Sequence, residues 1–514
     1  MKLSRLHRIV VALAILKFIL PFILQSPIYE PHRDEFLYLA EGNHLAWGYM
    51  EVPPLLSVFA WLTNLFGDGM FWIKFWPSLF GSLTFVLVAN ITLSLGGKSF
   101  ALFLCFLPFI FGVFLRIHFL FQPNFLEVFF WTMIAYSVIR YIQSGKNKWL
   151  YIFGSSAGLG MMSKYSVAFF VVSVLAGLLF TPQRRILFNK HFWFAAAVGG
   201  VIFLPNIFWQ SQNHFPVIFH MKELQKYQLQ YIDTPGFLVD QLLMNLPCVF
   251  LWIAGLWFAA FTTMGKPLRF AAWAYIFLIV LLIVLKGKNY YTIGVYPLLF
   301  GLGAFHLERF ASGRRKYLRY VFVAIILVIG LPFVPAALPT ASPKKLANYY
   351  RVVGFSKTDL LKWEDLQHHP LPQDFSDMLG WKEMAKKMAA AYYALDSNER
   401  KHTILFCDNY GQAGAVNLYG KKYNLPGAYS DNASFLYWLP DTSRLVNIIL
   451  LTDDRQEMEH PFIRDFSAAI LNDSVTTPYA RERGDLIITL KGANDAFNQM
   501  FKEKIEKDKA QFNY

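Results

Sequence analysis

Two adjacent acids stand among aromatic residues in Arg33-Asp34-Glu35-Phe36-Leu37-Tyr38, just after a long apolar run. A third acid follows in Gly48-Tyr49-Met50-Glu51-Val52-Pro53-Pro54, with Trp47 beside it. Acids interleaved with Phe36, Tyr38, Trp47 and Tyr49 belong at a membrane interface, partly removed from water. Desolvation raises a carboxyl's pKa and makes the carboxylate a better base. Such a group is suited to taking a proton from a hydroxyl. Residues 35–47 fit a short helix lying along the membrane surface. Pro53-Pro54 then fixes the direction of Glu51.

Further along, Glu127 sits near the outer end of an apolar run, in Gln122-Pro123-Asn124-Phe125-Leu126-Glu127. An acid at such depth is costly and faces a cavity or a partner. Lys164 lies between two apolar runs, after Gly158, Gly160 and Ser163. Lys286-Gly287-Lys288-Asn289-Tyr290-Tyr291 puts two lysines beside interfacial tyrosines, a setting that suits a lipid phosphate. There is no Walker loop, GxGxxG after a strand or HExxH, and Gly411-Gln412-Ala413-Gly414 is not a nucleotide fingerprint.

These residues hang on a chain whose composition excludes an ordinary soluble protein. Of its 514 residues 55% are hydrophobic and 18% aromatic, and only 16% are charged. Cys105, Cys248 and Cys407 are too few for a disulfide framework and match no zinc spacing. The net charge is +14, carried entirely before Thr340: 26 Lys and Arg face 11 acids in residues 1–339, against 22 and 23 in 340–514. The basic excess is broken into short clusters between apolar runs, which indicates membrane topology and excludes nucleic-acid binding.

Apolar runs long enough to span roughly 30 Å of hydrocarbon recur at 7–25, 71–95, 99–116, 119–141, 149–163, 165–181, 191–210, 238–263, 268–286, 290–307 and 318–338. The first reads as a retained anchor, because Gln25-Ser26-Pro27 is a poor cleavage site. The expected fold is a polytopic α-helical membrane protein with about eleven transmembrane helices. Lys98, the Arg140–Lys148 cluster, Arg184 and Arg185, Lys266 and Arg269, and the Arg309–Arg319 cluster all fall on one face, with the N-terminus. By the positive-inside rule that face is cytoplasmic, and an odd helix count puts the C-terminus outside. Six of the eleven acids, Asp68 included, crowd into the first outer loop, residues 26–70. Residues 340–514 alternate strand-like runs (Thr403–Cys407, Leu445–Leu451, Asp485–Leu490) with an amphipathic helix, Trp381–Leu395, and are expected to form an extracytoplasmic α/β domain.

In order along the chain, these pieces resemble the bacterial GT-C membrane glycosyltransferases related to protein O-mannosyltransferases and to the aminoarabinose transferase of lipid A. The resemblance rests on Asp34-Glu35 with Tyr38, and on Gly42-Asn43-His44-Leu45-Ala46-Trp47-Gly48-Tyr49 leading to Glu51 and Pro53-Pro54. Lys164-Tyr165, Asn206 with Trp209 and Gln210, Lys288 with Tyr290-Tyr291, and Asn409-Tyr410-Gly411-Gln412-Ala413-Gly414 extend it. It implies a transferase that inverts the sugar it takes from a polyprenyl-phosphate donor and hands to a lipid, glycan or protein acceptor. Asp34 would be the general base, Glu51 a second acid of the same site, and Glu35, Tyr38, His44, Glu127, Tyr290 and Tyr291 its neighbours. Leu37 and Val52 stand where the lipid A transferases tend to have Arg and Lys, and Asn124 where many relatives have Asp. The donor phosphate is therefore assigned to Lys288, Lys286 and Lys164, and modification of lipid A is not expected. These residues fix no cofactor, and a divalent metal stays open. The resemblance places the protein in a bacterial inner membrane, among membrane lipids. The rival reading is a membrane transporter or lipid flippase, which would carry mid-membrane acids and internal repeats; no repeat is found.

Overall fold

The computed structural model describes residues 4–67, 69–227, 229–440 and 444–511; Asp68 lies outside them. The chain is almost wholly helical as far as Val353 and mixed beyond it. Among the described residues six helices are long and apolar enough to cross a bilayer: Arg5–Leu24, Met70–Ser94, Asn124–Ser144, Lys190–Gln212, Lys266–Val284 and Gly313–Ala337. Two bent pairs raise that to eight if each is one span. The remaining runs form shorter or broken helices. The run at 99–116 is cut at Pro108 and Gly112, that at 238–263 bends by 70° at Leu246-Pro247, and that at 290–307 opens as a 3-10 turn, Asn289–Val295. Glu308 caps a helix start, accepting from the backbone N–H groups of Lys98 (2.6 Å) and Ala101 (3.1 Å).

The C-terminal part folds around a mixed five-stranded sheet of β1 (Thr403–Cys407), β2 (Ala428–Tyr429), β3 (Asn447–Thr452), β4 (Phe466–Ser474) and β5 (Leu486–Ala493), in the order β2-β1-β3-β5-β4. β1 runs parallel to β2 and β3, and β5 is antiparallel to β3 and β4. β3 is buried on both faces, which suits its run Asn-Ile-Ile-Leu-Leu-Thr to the middle of the sheet. The helix Trp381–Tyr393 covers one face.

The first loop is held from both sides. Its helix, Arg33–Glu41, starts earlier than the pattern at 35–47 suggests, because His32 and Glu35 form a capping box. The Glu35 carboxylate accepts from the His32 N–H (2.7 Å), and His32 Nδ1 accepts from the Asp34 N–H (3.2 Å). Phe36, Leu37 and Ala40 belong to the hydrophobic core under the sheet, beside Trp381, Leu405 and Ile449. Burying a side chain such as Phe36 contributes about 1.5–3 kcal/mol. On the other side Glu35 and Lys74 form a fully buried ion pair at 2.6 Å, tying the helix to the span Met70–Ser94. Gly48 packs on Trp209, where a Cβ would come within 2.3 Å of the indole, and Asn206 donates to the Trp47 carbonyl at 2.8 Å.

Candidate active site

A cavity of about 650 Å³ lies where the first loop, the helical bundle and the C-terminal region meet. Asp34, Tyr38, Glu51, Lys164, Lys288, Tyr290 and Tyr291 line it together. These residues come from four separate stretches of chain.

Asp34 sits in the first turn of its helix, about one-third exposed. The Tyr410 hydroxyl donates to Oδ1 at 2.8 Å, and the Gln122 amide donates to Oδ2 at 3.1 Å. Tyr410 opens the helix Tyr410–Tyr419, which lies directly on the helix of Asp34. The close approach depends on two glycines: a Cβ on Gly411 would meet Arg33 Cγ at 2.5 Å, and one on Gly414 would meet Phe36 Cβ at 2.7 Å. The Arg33 guanidinium lies over the Tyr410 ring at 5.2 Å. Burial, reinforced by the charge of Asp34, pushes the Tyr410 hydroxyl well above its ordinary pKa, so it stays a donor.

Glu51 is oriented by Ser434, whose N–H and hydroxyl donate to its two oxygens at 2.7 and 2.6 Å. Burial pushes its pKa up, and these hydrogen bonds pull it back. Near it lies Glu41, buried with no hydrogen-bond partner on either oxygen among the described residues; burial and then the charge of Glu51 raise its pKa well above the usual range.

Two lysines, Lys164 and Lys288, line the same cavity. Lys164 Nζ donates to Asn124 Oδ1 at 2.6 Å and pairs with Glu127 at 2.9 Å, and lies 5.3 and 5.2 Å from the ring centres of Tyr290 and Tyr291. Lys288 Nζ lies 5.8 Å from the Tyr290 ring; burial lowers its pKa, and the charge of Glu364 works the other way. Two cations thus lie close to the phenol rings, Lys164 paired with Glu127 and Lys288 with no ion-pair partner among the described residues.

Four of the expected site residues lie elsewhere. Glu35 is fully buried, held by Lys74 and by the Phe121 N–H, and positions the helix instead of facing the cavity. Glu127 is buried behind Lys164 and accepts from the Ser166 hydroxyl. His44 Nδ1 donates to the Ala40 carbonyl at 3.1 Å, and the ring stacks on Trp438 at 4.1 Å. Lys286 is exposed at a left-handed turn, φ +50°, outside the lining. Sequence reasoning passed over Gln122, Ser434, Glu364, Asp431 and Asp508, all but Ser434 lining residues.

Among the described residues, potential metal ligands come together in threes at two places, and neither includes Asp34 or Glu51. In one, His32 Nε2 lies 3.7 Å from both Asp374 and Asp377. Its Nδ1 already accepts the Asp34 N–H, so Nε2 carries the proton, and Arg116 and Arg481 pair with the two acids. The other, Asp454 with Glu457 and His460, lies on the C-terminal part away from the cavity.

Residues 51–209 match the family model for dolichyl-phosphate-mannose-protein mannosyltransferases. The lipid A galacturonosyltransferase RgtD of Rhizobium johnstonii is 27% identical over 198 residues, which cover 37% of this chain and 41% of that relative's length. ArnT from Cupriavidus metallidurans, in its crystal structure bound to undecaprenyl phosphate, superposes with a TM-score of 0.62 at 16% identity, over 94% of this chain and 97% of that one. Its apo structure superposes with a TM-score of 0.63 at 14% identity over the same shares. In fold the chain is similar to ArnT from Cupriavidus metallidurans over nearly its whole length.

Proposed function

We propose that the protein transfers one sugar from a polyprenyl-phosphate donor to an acceptor hydroxyl or equivalent nucleophile. The observation that carries this reading is the shared cavity, lined by an oriented carboxylate, Asp34, together with the cations Lys288 and Lys164. The matched mannosyltransferase model and the ArnT-like fold support it. Asp34 takes the acceptor's proton as the acceptor oxygen attacks the anomeric carbon. The bond from that carbon to the phosphate oxygen breaks, and the polyprenyl phosphate leaves with its charge against Lys288 and Lys164. One displacement from the face opposite the leaving group inverts the anomeric centre. Glu51, fixed by Ser434, bounds the acceptor side of the same space.

The reading divides the chain into a membrane-embedded catalytic part, residues 1–339, and an outer α/β domain, residues 340–514. It places the cavity at the extracytoplasmic face of a bacterial inner membrane, on the strength of the charge asymmetry. A cytoplasm-dependent reporter fused to the C-terminus is then silent, and an active one overturns the orientation. Purified protein incubated with labelled polyprenyl-phosphate sugar releases polyprenyl phosphate. Movement of the intact lipid across a liposome, with the sugar–phosphate bond unbroken, favours a flippase instead.

A further inference from the structure

From the charges on the cavity walls we infer that the transferred sugar carries no anionic substituent: the donor is a neutral or amino sugar, not a uronic acid, although a galacturonosyltransferase is among the chain's relatives. The inference rests on the glycosyltransferase reading above and narrows its substrate.

The lining carries acids on the first loop (Asp34, Glu51) and on the C-terminal part (Glu364, Asp431, Asp508). Its two lysines, Lys164 and Lys288, lie on the bundle side. Lys164 is already paired with Glu127. Cations outside the lining are engaged as well: Lys504 with Asp431, Arg481 with Glu364 at 3.2 Å, and Arg33 with Glu482 at 3.9 Å. His220 also lines the cavity, and burial followed by the charge of Lys288 pushes its imidazole toward the neutral form. Asp34 and Glu51, by contrast, are held by neutral donors, Tyr410 with Gln122 and Ser434.

Lys288 is thus the one lining lysine without an ion-pair partner among the described residues, and a phosphodiester donor needs it. A second negative charge, on a hexuronate ring, finds no further unpaired lysine among the described lining residues and meets Asp34 and Glu51, which are held by neutral donors. Like charges juxtaposed in a water-poor site are disfavoured far more than in bulk water. Hydroxyl or ammonium groups, in contrast, can donate to those same oxygens.

The test compares polyprenyl phosphates carrying a hexose, the matching hexuronate or no sugar, by binding and by release of polyprenyl phosphate. The hexose donor is expected to exceed the hexuronate by at least about tenfold in kcat/KM, the factor that a 1.4 kcal/mol difference gives. Asp431→Asn frees Lys504 beside the cavity and is expected to narrow that ratio. Equal or better use of the hexuronate overturns the inference and leaves the transferase reading standing. A ratio untouched by Asp431→Asn also overturns it, because the discrimination is then not electrostatic. Where neither donor turns over, hexuronate binding as tight as hexose binding overturns it; failure of the unsubstituted polyprenyl phosphate to bind removes the transferase reading itself.

Discussion

The Tyr410 hydroxyl donates to Asp34 Oδ1 at 2.8 Å across 376 positions of sequence. This bond joins the sheet-bearing C-terminal part to the first loop at the residue best placed to act as base. A hydrogen bond to a charged group contributes about 1.5–3 kcal/mol. Tyr410→Phe removes it while keeping the ring under Arg33. Turnover is expected to fall by about 10- to 100-fold with donor KM little changed. Unchanged turnover would show that the C-terminal part only covers the site.

Lys288→Ala removes the lining lysine that has no ion-pair partner among the described residues. Donor KM is expected to rise by roughly tenfold or more, as for loss of a charge-assisted contact, while acceptor KM stays put. A rise in acceptor KM alone would move the phosphate elsewhere.

Much of this site is legible in the sequence, for a physical reason. Asp34, Glu51, Lys164 and Lys288 are charged residues in apolar or aromatic surroundings, where charge needs a purpose. Their partners are harder to see. Tyr410 and Ser434 reach the first loop across more than 370 positions, and no local pattern reports such a contact. The signal available was the i, i+3 spacing of Gly411 and Gly414, which marks close helix packing and not a phosphate loop. The start of the loop helix was hidden because histidine is an unusual N-cap. Hydropathy found the apolar runs but not their breaks, although Pro108, Gly112 and Pro247 were there to punctuate them. Glu35 is expected beside Asp34 as a neighbour in the site, yet successive helix positions point different ways, and it turns to Lys74.

Glu35→Ala should therefore destabilise the protein, leaving Lys74 buried without its counter-charge. Breaking a buried pair costs about 3–5 kcal/mol, read as a lower melting temperature in detergent. Combining Glu35→Leu with Lys74→Met is expected to recover part of the loss, because the His32 and Phe121 N–H groups still lack their acceptor. A double variant no more stable than Glu35→Ala would contradict a purely structural role for the pair.

The buried Glu41 carboxyl gives a pH test. Burial raises its pKa well above 4.5 in the folded protein, whereas the unfolded chain releases the proton near 4.5. The folded state then binds more protons above that value, so stability is full below it and falls as pH rises. Glu41→Gln abolishes this titration. Its melting temperature should decline less than that of the unmodified protein between about pH 5 and pH 8. Parallel declines would show that Glu41 contributes none of the slope.

The most direct measurement is release of polyprenyl phosphate from a labelled polyprenyl-phosphate sugar by the unmodified protein and by Asp34→Asn, with donor binding followed in parallel. The substitution keeps size and hydrogen-bonding reach but removes the base. General-base catalysis contributes about 10²–10⁴-fold; release is expected to fall by that order while the donor still binds and the protein stays folded. Release by Asp34→Asn at a rate near that of the unmodified protein would contradict the assignment of Asp34 as the base.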